Sequence, residues 1–131
     1  IDYISTIGTD HCPFEPEIKN HKYTCETPMG IGGIKYSFLN MYSIFGDKVI
    51  KKFTSNVAKA YNLYPRKGII MPGSDADIVI FNDRVNDIIK DKESLYNGRE
   101  VKGKIIKVYL GGECAVDNGQ YLGSKGKYIR R

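Results

Sequence analysis

The text of the chain changes character between residues 63 and 68, and that change constrains the fold more than any other feature. Before it, Ile34, Phe38, Tyr42 and Phe45 recur three to four residues apart, which lines one face of a helix until Gly46 stops the run. After Pro65 the text becomes short β-branched and aromatic runs punctuated by glycine. Helix-rich text followed by strand-rich text implies two structural units, residues 1–63 and 64–131, rather than one continuous βαβ alternation. At 131 residues these are one ordinary domain or two small pieces of a larger one.

Within the first unit, residues 4–9 read as a short buried strand that gives way to the polar cluster Asp10-His11-Cys12 and is ended by Pro13. Residues 15–33 read as a loop, with Pro16, Pro28, Gly30, Gly32 and Gly33 supplying turn chemistry, and loops of this length are often functional. Asp47 suits the N-cap of a helix reaching Phe53, and Ser55 or Asn56 suits that of a short helix through Val57, Ala58 and Tyr61. In the second unit, strands are expected over residues 76–81, 103–110 and 113–116, the last two joined by a tight Gly111-Gly112 turn. The chain opens on Ile1, directly into strand-like text, which reads as a cut.

Apolar residues at 41% and charged residues at 27% match a folded globular chain rather than a disordered one. The net charge of +5 raises the question of nucleic acid. The twenty basic residues, however, are scattered among fifteen acidic ones, with the densest groups at Lys51-Lys52, Arg66-Lys67 and the tail from Lys125 to Arg131. Nor are the ten tyrosines interleaved with them as stacking platforms, so a solvated surface is the simpler reading and no nucleic-acid partner is expected. Cys12, Cys25 and Cys114 are too few, and odd in number, for a disulfide scaffold, which favours a reducing cytoplasm. No apolar run approaches the roughly 18 residues of a membrane span, so no membrane partner is expected either.

Asp10 is the most informative candidate for chemistry. A carboxylate directly after a buried strand and before a flexible loop stands where α/β barrels place catalytic groups, although an aspartate there also serves simply to cap the next turn. His11, Cys12, His21 and Cys25 are a poor zinc clip: adjacent His11 and Cys12 cannot easily aim at one ion, and only His21 and Cys25 have the usual paired spacing. Asp75 and Asp77 alternate at the start of a strand, so they are expected on opposite faces, one as a turn contact and one as a backbone cap.

Two blocks, taken together, resemble one enzyme family. Ser5-Thr6-Ile7-Gly8-Thr9-Asp10-His11-Cys12-Pro13-Phe14 is similar to the segment ending the eighth barrel strand of dihydropyrimidinases, hydantoinases and the related allantoinases and dihydroorotases. The run from Tyr64-Pro65-Arg66-Lys67-Gly68 through Pro72-Gly73-Ser74-Asp75-Ala76-Asp77 to Ile78-Val79-Ile80-Phe81 is similar to the entry of the small C-terminal β-sandwich of cyclic amidohydrolases. Asn56-Val57-Ala58-Lys59 extends the likeness, which covers essentially the whole chain.

The resemblance implies a fold of α/β plus β: the last strand, loop and helices of an amidohydrolase-type TIM barrel, followed by strands of the small sandwich. It implies a homotetrameric cytoplasmic hydrolase that opens a dihydropyrimidine, hydantoin or similar cyclic amide by attack of a metal-bound hydroxide. Its centre would hold two zinc ions on four histidines, a carbamylated lysine and one aspartate. Of these ligands the chain carries Asp10 alone, as metal ligand and proton shuttle. Pro28-Met29-Gly30 resembles the family's substrate-contacting Pro-Asn-Gly, with Met29 as a main-chain contact, and Lys35 stands where a glutamate is common. A barrel of this kind needs about 250 residues, so a chain holding only its last strand is expected to be inactive and to self-associate through uncovered apolar surface. The alternative is a non-catalytic dihydropyrimidinase-like scaffold.

Overall fold

The computed structural model describes residues 1–124 and 126–129. Lys125, Arg130 and Arg131, part of the basic tail noted above, lie outside the described residues. Three short helices, α1 (Ser37–Phe45), α2 (Ile50–Phe53) and α3 (Ser55–Ala60), precede four strands, β1 (Ile78–Ile88), β2 (Glu100–Leu110), β3 (Glu113–Asp117) and β4 (Gln120–Tyr121). The strands form one antiparallel sheet in the order β1-β2-β3-β4. The described residues thus supply a single sheet rather than the two layers of a sandwich.

The helix expected from the spacing of Phe38 and Tyr42 is α1, and it ends at Gly46 with φ 60°. Its inward face is aromatic. Phe38 and Tyr42 meet the Phe81 ring of β1 edge-on at centroid distances of 5.4 and 4.8 Å, and Phe38 meets Phe53 of α2 at 5.6 Å. Phe81 in turn lies over Gly103 of β2, whose φ of 91° and proximity to the ring leave no room for a Cβ. Of the residues expected on the same face, Ile34 lies in the turn before the helix and Phe45 ends it, and both are exposed.

A polar contact ties the same helix to the sheet, with Lys102 N–H donating to Ser43 Oγ at 2.7 Å. The fully packed set is small: among the described residues Tyr42, Val49, Ala58, Ile89, Val101 and Ala115 are the buried apolar ones, while Ile70 and Val79 stand exposed along an open groove of about 520 Å³. A core this thin supplies limited hydrophobic stabilisation.

Several expectations need correction. Residues 4–9 form neither a strand nor a buried segment; they run irregularly across the surface. They are held by Ile7 N–H to Lys52 O (3.0 Å), Asn56 Nδ2 to Ser5 O (2.8 Å) and Lys52 Nζ to Ile4 O. A strand exists only where a neighbour completes its ladder, and no described segment lies alongside to do so. The loop over residues 15–33 contains two 3-10 turns, Pro16–Lys19 and Thr24–Glu26.

The expected caps also differ. Asp47 lies inside a 3-10 turn, Gly46–Val49, and its carboxylate accepts from Tyr42 Oη at 3.0 Å instead of capping. The short helix α3 starts at Ser55 after Thr54, with no side-chain cap, because Asn56 is turned back to Ser5.

The strand expectations held in kind and fell short in length. The strand begun near residue 76 runs from Ile78 to Ile88, past a bulge between Asn82 and Asn86. Leu110 and Glu113 pair across the two-residue turn at Gly111 and Gly112.

Candidate functional site

Asp10 stands at the end of the irregular entry segment in a left-handed conformation, φ 44°, which few non-glycine residues adopt. It is exposed, and its carboxylate has no hydrogen bond or ion pair among the described residues. A polar group held in a rare backbone region without a local partner is presented rather than used for folding.

What holds that turn is the glycine-rich end of the loop. Cys12 N–H donates to Ile31 O at 3.2 Å, and Ile34 N–H donates to His11 Nδ1 at 3.2 Å. Gly33 is buried against Thr9, and Gly32 lies against Pro13 and His11. At Gly30, with φ 147°, a Cβ would fall 2.6 Å from Cys12 O and 2.9 Å from the Phe14 ring, so only glycine lets the loop approach this closely. The residues on both sides of Asp10 are therefore clasped by residues 30–34. Met29, just before the clasp, projects into solvent at 95% exposure.

Beside this clasp is a groove of about 290 Å³ between His11, Phe14, Ile31, Lys35 and the segment near Asp91. Asp10 does not line it. Lys35 Nζ and Tyr36 Oη both reach Asp91 Oδ2, at 2.9 and 2.7 Å. These bonds hold the Asp91 carboxyl below its usual range, Tyr36 first and Lys35 second. The Lys35 ammonium is pushed up to about 12 by Tyr36 and Asp91. Lys35 thus has a carboxylate partner supplied from the connection between β1 and β2. Tyr36 and Asp91 were not legible as a pair in the sequence, being 55 residues apart.

The remaining candidates separate. His21, Cys12 and Cys25 are exposed, and the cysteines are free. Among the described residues, no group of three or more His, Cys, Asp or Glu side chains could hold a metal ion. The described residues therefore bring together too few donors for a binuclear centre, and no chemical step through a metal follows from them alone.

Asp75 and Asp77 do not face opposite sides. Both reach Lys67, the first at 3.0 Å, because residues 75–77 form a tight turn ahead of β1 rather than pleated strand. Their role is structural, as expected: Asp77 Oδ1 accepts from Gly111 N–H at 2.8 Å and Asp75 pairs with Arg66 at 3.1 Å.

The chain belongs to the amidohydrolase family, whose model matches residues 2–115. It is 29% identical over 140 residues to a D-hydantoinase of Streptomyces coelicolor, covering 94% of this chain and 30% of that protein. It is 28% identical to a dihydropyrimidinase of Arabidopsis thaliana, covering 96% and 27%.

Among solved structures, a D-hydantoinase from a Bacillus sp. AR9 matches with a TM-score of 0.83 and 30% identity over 96% of this chain and 32% of that one. A D-hydantoinase (dihydropyrimidinase) from Thermus sp. matches with a TM-score of 0.79 and 30% identity over 92% and 30%. The chain therefore spans roughly 30% of the length of the curated relatives it matches. Among the described residues no helix is long and apolar enough to cross a membrane.

Proposed function

We propose that this chain is the C-terminal part of a cytoplasmic, homotetrameric hydrolase that opens a dihydropyrimidine, a hydantoin or a similar cyclic amide. Residues 1–63 would belong to the end of its barrel and 64–131 to its small sandwich. The observation that carries the reading is Asp10: an exposed, unpartnered carboxylate in a left-handed turn, clasped by a glycine loop, in a chain of the amidohydrolase family.

In this proposal Asp10 contributes one donor to a centre of two zinc ions whose other ligands lie outside these residues, and such a centre supplies Lewis acidity when assembled. Its carboxylate also holds and passes a proton toward the departing ring nitrogen, work for which a free oxygen without a folding partner is suited. In this proposal the main chain at Met29 meets the substrate, as the likeness of Pro28-Met29-Gly30 to the family's substrate-contacting stretch implies.

Alone, the 131-residue chain lacks the remaining ligands and is expected to be inactive. The test is hydrolysis of hydantoin and dihydrouracil by the full-length protein that carries this chain, with metal analysis, beside Asp10→Ala. Loss of about 10²- to 10⁴-fold in the variant, at unchanged thermal stability, is the expected result. A full-length protein that is metal-free and inactive refutes the proposal and leaves the scaffold alternative.

A further inference from the structure

We propose that Asp91, on the connection between β1 and β2, is a positioning residue that sets the clasp of residues 30–34 around Asp10. The inference rests on the proposed function in treating that clasp as substrate-facing. Its physical basis is independent of any activity.

Asp91 is itself immobilised. Its N–H donates to Asn97 Oδ1 at 3.0 Å, its carbonyl accepts from Ser94 N–H at 3.0 Å, and its Oδ1 accepts from Glu93 N–H at 3.3 Å. The connection is closed at its base by Ile89 N–H to Arg99 O (3.0 Å) and Gly98 N–H to Ile89 O (2.8 Å), and Ile89 is buried. What this anchored carboxylate presents outward is Oδ2, which takes both the Tyr36 hydroxyl and the Lys35 ammonium. Tyr36 is held a second time, by an edge-on contact with Tyr96 at 6.3 Å.

Those two residues directly follow the clasp. Gly33 O accepts from Tyr36 N–H at 3.2 Å and from Ser37 N–H at 2.9 Å, so the start of α1 and the end of the clasp are one hydrogen-bonded unit. Ile34 N–H then reaches His11, next to Asp10. A displacement of Tyr36 is therefore passed through two residues to the turn that presents Asp10. Of the two bonds, the one from Tyr36 is the stronger constraint: the Lys35 side chain is 68% exposed, and exposed ion pairs constrain little.

The arrangement also accounts for the lysine. A glutamate at position 35 would set a second carboxylate beside Asp91, so the charge at 35 and the charge at 91 are matched in this chain.

The experiment is amide hydrogen exchange, read residue by residue by NMR on the 131-residue chain. In Asp91→Ala, which removes the bonds from both Tyr36 and Lys35, the Ile34 and Cys12 amides are expected to exchange about tenfold faster, the loss of the Tyr36 bond dominating because the Lys35 pair is exposed, while amides of the β2–β3 ladder keep their rates. Tyr36→Phe, which deletes a single hydroxyl and serves if Asp91→Ala does not fold, is expected to reproduce the local effect. Asp91→Glu is expected to restore protection, which a role in bulk packing would not require.

Unchanged Ile34 and Cys12 amides in both variants, or ladder amides accelerated by the same factor, would overturn the proposal. Because the readout needs no hydrolysis, a full-length protein found inactive would remove the enzymatic reading and leave this result standing on its own.

Discussion

Lys67 Nζ lies 3.0 Å from the Asp75 carboxylate and also binds Asp77, so one ammonium gathers both acids of the turn that leads into β1. Arg66 adds a contact to Asp75 at 3.1 Å. The Lys67 ammonium first, and Arg66 after it, hold the Asp75 carboxyl below 3.8, whereas the carboxylates, Asp77 first, hold Lys67 above 10.5.

The pH dependence follows from those directions. A depressed Asp75 contributes stability that is present above 3.8 and lost as pH falls through the folded value; a raised Lys67 contributes stability that is present below 10.5 and lost as pH rises through the folded value. Urea titrations of Lys67→Met are expected to show a shallower loss of stability on both flanks than the unmodified chain. Equal slopes in the two proteins would mean that the cluster contributes nothing to folding.

Phe81 is the hinge of the packing between helix and sheet, with Phe38 and Tyr42 on one side and Gly103 beneath it. Phe81→Ala is expected to lower unfolding free energy by about 3 kcal/mol, near the bottom of the range for a core aromatic because the site is only half-buried. Gly103→Ala is expected to cost about 2 kcal/mol through backbone strain and collision with the ring. Chemical denaturation midpoints check both. If the cost arises from that collision, Phe81→Leu should recover part of it in the double variant.

Cys12 and Cys25 are exposed while Cys114 lies half-buried in β3, its Sγ 3.4 Å from Val116 O. A disulfide-exchange reagent should label two thiols quickly and the third at least several-fold more slowly. Three equal rates would show that β3 opens as readily as the loop.

Ile70 and Val79 are exposed apolar residues lining a groove of about 520 Å³, the kind of uncovered apolar surface that favours association. Sedimentation of the isolated chain is expected to show association that rises with concentration and weakens in Ile70→Lys. A monodisperse monomer at high concentration would count against it.

The sequence by itself determined the local grammar: α1 from the spacing of Phe38 and Tyr42, its end at Gly46, and the Gly111-Gly112 hairpin. These are signals that act within a few residues, through side-chain periodicity and backbone permissiveness, and so are written along the chain.

Tertiary structure decided the rest. Residues 4–9 have strand-like text, but pairing is a property of two segments and no described neighbour is there to pair with. Asp75 and Asp77 both reach Lys67 because residues 75–77 form a tight turn instead of pleated strand, which an alternation rule does not anticipate. The clasp around Asp10 depends on Asp91, more than fifty residues from the tyrosine it binds, and a hydrogen bond across that separation exists only once the chain has folded.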